Sequence, residues 1–208
     1  TGNPVASFSH TLNAQGTAIA ASPDGSKIFV GGDFTTVDGN ARGHIASFNV
    51  ATGALVAGFA PPIGGRVRAM ATTSTTVYAG GNFTVVGLST RNRLAAFDSS
   101  SGALRPWDLN ANNEVWALAM TPDNQRVIAG GSFTSLGGVA AYGMGSADAS
   151  TAAILPWAAN QTIKDAGSYG AITSLRSDGL QVYGAGYAFG PGSTFEGTFA
   201  ADPNTGTI

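Results

Sequence analysis

Gly31-Gly32-Asp33-Phe34-Thr35 is the stretch that decides the fold, because the chain repeats it. It returns as Gly80-Gly81-Asn82-Phe83-Thr84 and as Gly130-Gly131-Ser132-Phe133-Thr134, and a weaker fourth copy reads Gly184-Ala185-Gly186-Tyr187-Ala188-Phe189. The copies lie about 50 residues apart, and a fixed period of this size indicates an array of equal supersecondary units.

Each repeat unit predicts four short β-strands. In the first unit these are residues 17–21, 27–30, 44–48 and 55–59, and the first two are joined by the tight turn Ser22-Pro23-Asp24-Gly25. The strands carry apolar or small residues on both faces, which is typical of strands covered on both sides. Four-stranded sheets of this kind, repeated about every 50 residues, predict an all-β protein of the β-propeller type with about four blades. A β-sandwich is the main rival, and it does not predict near-identical units.

The repeat also predicts blade boundaries at 13–62, 63–111, 112–160 and 161–208. Residues 1–8 align with residues 52–59, so segment 1–12 is predicted to be the outer strand of a preceding or closing blade. Three arrangements follow: a compact four-bladed ring, part of a longer protein with a larger ring, or a ring completed by a second copy. The second is preferred, because open flanks expose strand edges and apolar surface.

Composition excludes several classes of function. Charged residues make up 11% of the chain and the net charge is −2, so the clustered Lys and Arg of a nucleic-acid-binding protein are absent from the sequence. No stretch approaches the roughly 20 apolar residues that cross a bilayer. The chain has no Cys and only His10 and His44, so thiol catalysis and a Cys- or His-based zinc site are not expected. No cofactor is predicted.

The second unit resembles a known repeat. The resemblance rests on Val77-Tyr78-Ala79-Gly80-Gly81-Asn82-Phe83-Thr84, Arg91-Asn92-Arg93-Leu94-Ala95-Ala96-Phe97-Asp98 and Ser101-Gly102-Ala103-Leu104-Arg105-Pro106-Trp107. This pattern resembles the delta-sixty type propeller repeat, which is related to kelch repeats and common in secreted or surface proteins of bacteria. The third unit departs from it at residues 142–148, and the fourth matches weakly. The resemblance implies an extracellular location and a binding or scaffolding role, and it supplies no catalytic residues.

Recurring acidic and aromatic residues are predicted to be structural. Asp24, Asp123 and Asp178 recur in the first turn of three units, where an Asx turn is expected. Asp98, Asp148 and Asp202 recur beside the third strand. Because these acids repeat with the fold, they do not indicate one paired-carboxylate active site. Trp107 and Trp157 occupy the place of Phe59 and are predicted to pack in the core, although exposed Trp on a sugar-binding surface is the alternative.

The candidate binding site lies where the repeat varies. Thr17, Arg68, Trp116 and Thr173 are equivalent positions at the start of the inner strand, and their chemistry differs. The loops after the Gly-Gly strand are diverse too, and they open on the same end of the blades. Loops on a rigid scaffold commonly carry binding residues. A ligand site is therefore predicted on this face, with neutral loop drift as the alternative, from Arg68, Trp116, Asp38, Arg42, Arg91 and Tyr142.

These observations predict a non-enzymatic extracellular module for adhesion, scaffolding or surface assembly, which binds a protein or glycan on one propeller face. The alternative is a glycan-binding, lectin-like propeller. A polysaccharide-active enzyme is the third hypothesis, and no set of nucleophile, acid and base supports it.

Overall fold

The computed structural model describes residues 8–164, 167, 169–190 and 194–208. These residues form β-strands arranged in four successive sheets, which we call blades 1 to 4, and a single four-residue helix, α1 (Ala159–Thr162). The prediction of an all-β protein built from propeller blades is confirmed. The predicted outer strand at 1–12 falls largely on residues 1–7, which lie outside the described residues.

The first three blades share one plan, an inner strand paired with a central strand, which pairs with a third strand after a small hairpin. Blade 1 contains β1 (Gly16–Ala21), β2 (Lys27–Gly32), the hairpin β3 (Thr36–Val37) with β4 (Asn40–Ala41), and β5 (Ile45–Asn49). Blade 2 contains β6 (Val67–Thr72), β7 (Thr76–Gly81), the hairpin β8 (Val85–Val86) with β9 (Ser89–Thr90), and β10 (Leu94–Asp98). Blade 3 contains β11 (Val115–Met120), β12 (Arg126–Gly131), the hairpin β13 (Ser135–Leu136) with β14 (Val139–Ala140), β15 (Met144–Asp148) and β16 (Ile154–Leu155). Blade 4 contains β17 (Gly170–Ser177), β18 (Val182–Ala188) and β19 (Gly197–Ala201).

The fourth strand of each blade is shorter than the sequence predicts. In blades 1 and 2 it is a single bridge, from Leu55 to Phe48 and from Leu104 to Phe97, and in blade 3 it is the two-residue strand β16. In blades 2 and 3 a proline follows at position 106 or 156, and proline has no N–H to continue a ladder. Within residues 202–208 the structure shows no fourth strand for blade 4.

The predicted turn carboxylates bind their own turns. Asp24 accepts the Ser26 N–H at 3.0 Å, and Asp148 accepts the N–H groups of Ser150 and Thr151 at 2.9 and 2.7 Å. The same arrangement occurs at Asp98, Asp123, Asp178 and Asp202. Hydrogen bonds to the ionised form lower the pKa of all six, to about 2 at Asp24 and at Asp148. These residues are structural, as predicted.

Most of the hydrophobic core lies between blades, and a smaller cluster of Phe34, Val37, Ala46 and Phe48 lies within blade 1. Three buried clusters join blade 1 to blade 2, blade 2 to blade 3, and blade 3 to blade 4. Trp107 is buried in the second cluster and Trp157 in the third, so the prediction that they pack in the core is confirmed. Each blade is therefore stabilised mainly by its neighbours, as expected for a repeat array.

The first glycine of each pair allows a side chain of the next blade to pack closely against the central strand. A Cβ on Gly31 would lie 2.5 Å from the γ-carbon of Val67 in blade 2, and one on Gly80 would lie 2.6 Å from Val115 in blade 3. The same construction at Gly130 meets Ile172 of blade 4 at 2.7 Å. Real Cβ atoms do not approach other carbons so closely, so these positions require glycine for blade-to-blade packing.

The four inner strands line a central cavity. One part of it, of about 270 Å³, lies at the end where the inner strands begin, and a second part of about 390 Å³ lies towards their ends. One apolar residue from each inner strand lines both parts, and the four form an apolar collar: Ile19, Met70, Leu118 and Leu175. This cavity is the place where side chains from all four blades come together.

Candidate functional site

Each of the four inner strands carries a β-bulge at the same position. The ladder between inner and central strand skips one residue in every blade, and the skipped residues are Thr17, Arg68, Trp116 and Thr173. A bulged residue has no ladder partner, and its side chain is re-aimed relative to the regular pleat. The four residues that sequence variation singled out are therefore one structural position, repeated four times.

The second glycine of each pair makes room for the bulge. A Cβ on Gly32 would collide with the carbonyl oxygen of Gln15, one on Gly81 with that of Arg66, and one on Gly131 with that of Glu114. The same carbonyl of Glu114 accepts the N–H of Ser132 at 3.1 Å, which fixes the chain just before the bulge. The Gly-Gly pair thus serves both blade packing and the geometry of the cavity wall.

All four bulged side chains line the 270 Å³ part of the central cavity, which we call the mouth. Thr17 and Thr173 are exposed there, while Arg68 and Trp116 are partly buried. The loops that follow the Gly-Gly strands open at this same end, since Gly31 pairs with Ile45 and Gly32 with Gly16. The predicted site therefore has a real cavity at its centre.

Two ion pairs cross the junctions between blades beside the mouth. Arg68 Nε donates to Glu114 Oε1 at 2.5 Å, which links blade 2 to blade 3. Arg66 Nε donates to Asp33 Oδ1, which links blade 1 to blade 2. This hydrogen bond lowers the pKa of Asp33 and raises that of Arg66, and the charges of Arg66, Arg68 and His44 lower the pKa of Asp33 further. Asp33 is therefore ionised at neutral pH.

An aromatic strip runs from the mouth onto blade 4. The guanidinium of Arg68 lies 5.2 Å from the centre of the Trp116 ring, in cation–π contact. The rings of Trp116 and Tyr187 are 6.4 Å apart, and Tyr187 stacks on Phe189 at 5.0 Å. The indole Nε1 of Trp116 is buried and has no hydrogen-bond partner among the described residues. Because a buried donor without a partner is energetically costly, an acceptor from a ligand that pairs with it would stabilise the complex.

Of the six predicted site residues, only Arg68 and Trp116 line the mouth. Asp38 instead fastens the chain that enters blade 1. Its carboxylate accepts the N–H of Thr11 at 2.8 Å and lies 2.7 Å from Nδ1 of His10, while the other nitrogen of His10 is 2.7 Å from the carbonyl oxygen of Gly53. These contacts explain Asp38 as an anchor within blade 1, apart from the cavity.

Arg42 and Arg91 are also directed away from the cavity. Both guanidinium groups fold back on their own blade: Arg42 Nη1 donates to the Ala41 carbonyl at 2.7 Å, and Arg91 Nη1 donates to the Thr90 carbonyl at 2.8 Å. Arg91 also lies 3.6 Å from a carboxylate oxygen of Asp108. These arginines tie the small hairpins to the rest of their blades.

Tyr142 lies on the rim of blade 3. It is 43% exposed, and Lys164 Nζ sits 5.5 Å from the centre of its ring. It borders a different cavity, together with Trp157 and Asn160. The six predicted residues thus share one end of the molecule but do not form one site, and whether any of them binds a ligand stays a prediction.

The sequence analysis missed Asp33, Arg66, Glu114 and Tyr187. Arg66 and Glu114 are equivalent positions, each two residues before a bulged residue, and the first unit has Gln15 there. This variation is the same signal that identified Arg68 and Trp116. The pairing itself could not be found in this way, because it joins residues of different repeats.

Within the described ranges, no group of three or more His, Asp and Glu side chains is placed to hold a metal ion. A search of the same residues finds no helix with the length and hydropathy to span a membrane.

Comparison with known structures identifies propellers. The chain superposes on the WD40 repeats of RRP9 with a TM-score of 0.56 and 13% identity, over 85% of this chain and 47% of that one. It superposes on U3-55K with a TM-score of 0.58 and 14% identity, over 96% of this chain and 56% of that one. The computationally designed Ika4 protein is also similar, with a TM-score of 0.53 and 15% identity over 92% of this chain and 95% of that one.

At these identities the likeness shows the fold, a β-propeller, and nothing further. The chain spans about half the length of the first two structures. No model of a known protein family matches the chain, and no curated protein matches its sequence.

Proposed function

We propose that this chain is a non-enzymatic binding module, which holds a protein partner at the mouth of its central cavity. The observation that carries the proposal is the set of four equivalent bulges, which direct Thr17, Arg68, Trp116 and Thr173 into one cavity. The backbone is repeated but the side chains differ, so the chemistry of the mouth varies on a constant frame. Binding residues commonly occupy such places on rigid scaffolds.

The chemistry of the mouth suits binding better than catalysis. Asp33 and Glu114, the carboxylates beside the mouth, are each paired with an arginine. The pKa of Asp33 is lowered, whereas a general acid needs a raised pKa. Arg68, the partner of Glu114, also lies over the Trp116 indole, and the indole N–H has no hydrogen-bond partner among the described residues. These groups can recognise a ligand by stacking and hydrogen bonding. Aromatic residues and arginine are the side chains most enriched where binding energy concentrates.

We propose further that the module works outside the cell, in adhesion, scaffolding or surface assembly. This step rests on the resemblance of the repeat around Gly80-Gly81-Asn82-Phe83-Thr84 to the delta-sixty type repeat. The low share of charged residues, 11%, is compatible with that assignment and does not select it.

A displayed library of random peptides is the direct test. Selection on the wild-type chain should enrich peptides whose binding weakens at least tenfold in Arg68→Ala and in Trp116→Ala, because both substitutions remove mouth contacts. The matched control is Tyr142→Ala, an exposed aromatic on another part of the same end, which should bind the same peptides unchanged. Peptides that bind both mouth variants as well as they bind the wild type would contradict the proposal.

A glycan ligand is the second candidate, and the aromatic strip favours it. Trp116 contacts Tyr187 edge-on and Tyr187 stacks on Phe189, so a row of aromatic rings runs from the mouth onto blade 4. Aromatic ring faces stack on the apolar faces of sugars. Retention of the chain on polysaccharide columns, with retention lost in Trp116→Ala, would select this candidate over a protein partner. Release of reducing sugar from the same polysaccharides would instead point to an enzyme.

A further inference from the structure

Blades 2 and 3 each have a neighbouring blade on both faces. Among the described residues, blade 1 and blade 4 each have a neighbouring blade on one face only. We call the free face of blade 1 the leading flank (Phe8, Gly16, Ile19 and Val30) and the free face of blade 4 the trailing flank (Ser174, Arg176, Tyr183, Ala185 and Thr198). The trailing flank borders an open cavity of about 490 Å³. Both flanks are made of the same positions that meet at each internal junction.

Exposure of the collar residues shows what is missing at the leading flank. Met70, Leu118 and Leu175 are 6%, 3% and 1% exposed, because each lies against the first glycine of the preceding blade. Ile19 occupies the same position in blade 1 and is 64% exposed. Burial of Ile19 by a partner equivalent to a preceding blade would be favourable, because it would remove apolar surface from water.

The trailing flank shows the complementary gap. Phe29 and Tyr78, in the central strands of blades 1 and 2, are 0% and 2% exposed. Each packs on an aromatic residue from the segment that enters the next blade, at 5.1 Å from Phe59 and at 5.1 Å from Trp107. Tyr183 holds this position in blade 4 and is 43% exposed. Phe8 is the sequence equivalent of Phe59 and belongs to the leading flank.

Compared with the internal junctions, the trailing flank has a larger residue at the glycine position and the leading flank has a smaller residue at the β-branched position. At each internal junction a glycine, such as Gly31, faces a β-branched residue of the next blade, such as Val67. The register places Ala185 at the glycine position of blade 4 and Gly16 at the β-branched position of blade 1. A methyl group on one side is matched by a missing side chain on the other, so the two flanks fit without the clash that Ala against Val would cause.

We propose that a second copy of this chain completes the propeller, with the leading flank of each copy packed on the trailing flank of the other. Two arcs of four blades make a ring of eight, which lies within the known range of four to eight blades. The superposition of the chain on about half of two longer propellers agrees with an arc of this size. Two identical head-to-tail contacts close a ring when the rotation closes. The second copy also supplies the remaining wall of the central cavity.

Two polar residues on the trailing flank are compatible with this contact. Ser174 and Arg176 stand where blade 2 has Ala69 and Ala71. Arg176 also lines the central cavity, so its guanidinium can remain in water while its aliphatic stem is covered.

Light scattering on the purified chain, coupled to size exclusion, tests the proposal. The expected mass is twice the 20.8 kDa of one chain. Gly16→Val should raise the dissociation constant at least tenfold, because the new side chain meets the methyl group of Ala185. The double variant Gly16→Val with Ala185→Gly recreates the internal pair and should restore the dimer.

Tyr183→Arg gives a second route to the monomer, and it changes a side chain that is 43% exposed and whose hydroxyl donates to Asp178 at 3.0 Å within its own turn. Leu88→Arg is the control, because Leu88 is fully exposed on a loop away from both flanks and its variant should keep the mass of the wild type. A monomer at all concentrations, an open polymer, or a dimer that survives both Gly16→Val and Tyr183→Arg would overturn the proposal. The peptide-binding test of the mouth is separate, so failure of one does not decide the other.

Discussion

At the scale of single residues, each Gly-Gly pair meets two different demands. Gly80 has no side chain because Val115 of the next blade occupies the space, and Gly81 has none because the carbonyl of Arg66 approaches its α-carbon. Both glycines end strand β7, whereas the glycines of a phosphate loop lie at the N-terminus of a helix. The pair is therefore repeated in the sequence because the same contacts recur in successive blades.

Substitution of Gly80 tests this explanation. Gly80→Ala should lower the free energy of unfolding by about 1–3 kcal/mol, the range for overpacking a core. Combining it with Val115→Ala should recover part of the loss, with a favourable coupling of about 1 kcal/mol. Gly58→Ala is the control, because no atom lies within 4 Å of its Cβ position. Urea denaturation measures the wild type, the two single variants, the double variant and the control, and purely additive losses in the double variant would contradict the explanation.

Residues of the candidate site were only partly predictable from the sequence. Variation between repeats identified Arg68 and Trp116 because the bulge frees these positions from packing demands. Arg42 was predicted to be a binding residue because its loop varies between repeats, but its side chain is buried and folds back on backbone carbonyls. The difference depends on tertiary packing that one unaligned sequence does not display.

At the scale of elements, strand position follows from local pattern, and strand length follows from neighbours. The inner and central strands of the first unit were predicted within one or two residues of their bounds, because apolar runs between Gly, Pro and Asp turns define them. The outer strands at 55–59 and 104–107 were predicted too long. Their apolar residues turn inward to fill the junction between blades, as Phe59 and Trp107 do, so hydrophobicity there indicates packing rather than pairing.

The turns that follow the third strands predict a pH dependence. Asp148 has an ordinary pKa of 3.8 when unfolded and about 2 when folded, so its ionised form stabilises the fold above about pH 4 and this contribution is lost as the pH falls towards 2. Asp148→Asn should lower stability at pH 7 by about 1 kcal/mol, the usual worth of such hydrogen bonds. The difference in urea midpoint between variant and wild type should be largest at pH 7 and much smaller at pH 2, where the folded pKa is reached. An equal difference at both pH values would contradict the prediction.

At the scale of the whole molecule, stability is shared between neighbours. Among the described residues, blades 2 and 3 are packed on both sides, whereas blades 1 and 4 each have one flank that no neighbouring blade covers. The fold class could be predicted because the repeat period and the two-sided apolar strands agree. The central cavity and the matched residues of the flanks could not, since they depend on the register between blades.

Hydrogen exchange measures this distribution directly. In the Tyr183→Arg variant, where flanks are expected to stay free, amides of β7 and β12 should exchange most slowly and amides of β1 and β18 fastest. In the wild type at high concentration, protection in β1 and β18 should rise, because a partner copy covers them. Equal protection of β1 and β7 in the variant would contradict a nearest-neighbour array.

The bulge in each inner strand separates two tasks that usually compete within one residue. The ladder residues on either side maintain the sheet, while the unpaired residue between them contributes no pairing and faces the solvent-filled centre. Strand pairing therefore does not dictate which residues occupy these four positions, and recognition could diversify among relatives one position at a time. Exchanging Thr17 or Thr173 for a larger side chain would be the simplest way to give this scaffold a new ligand.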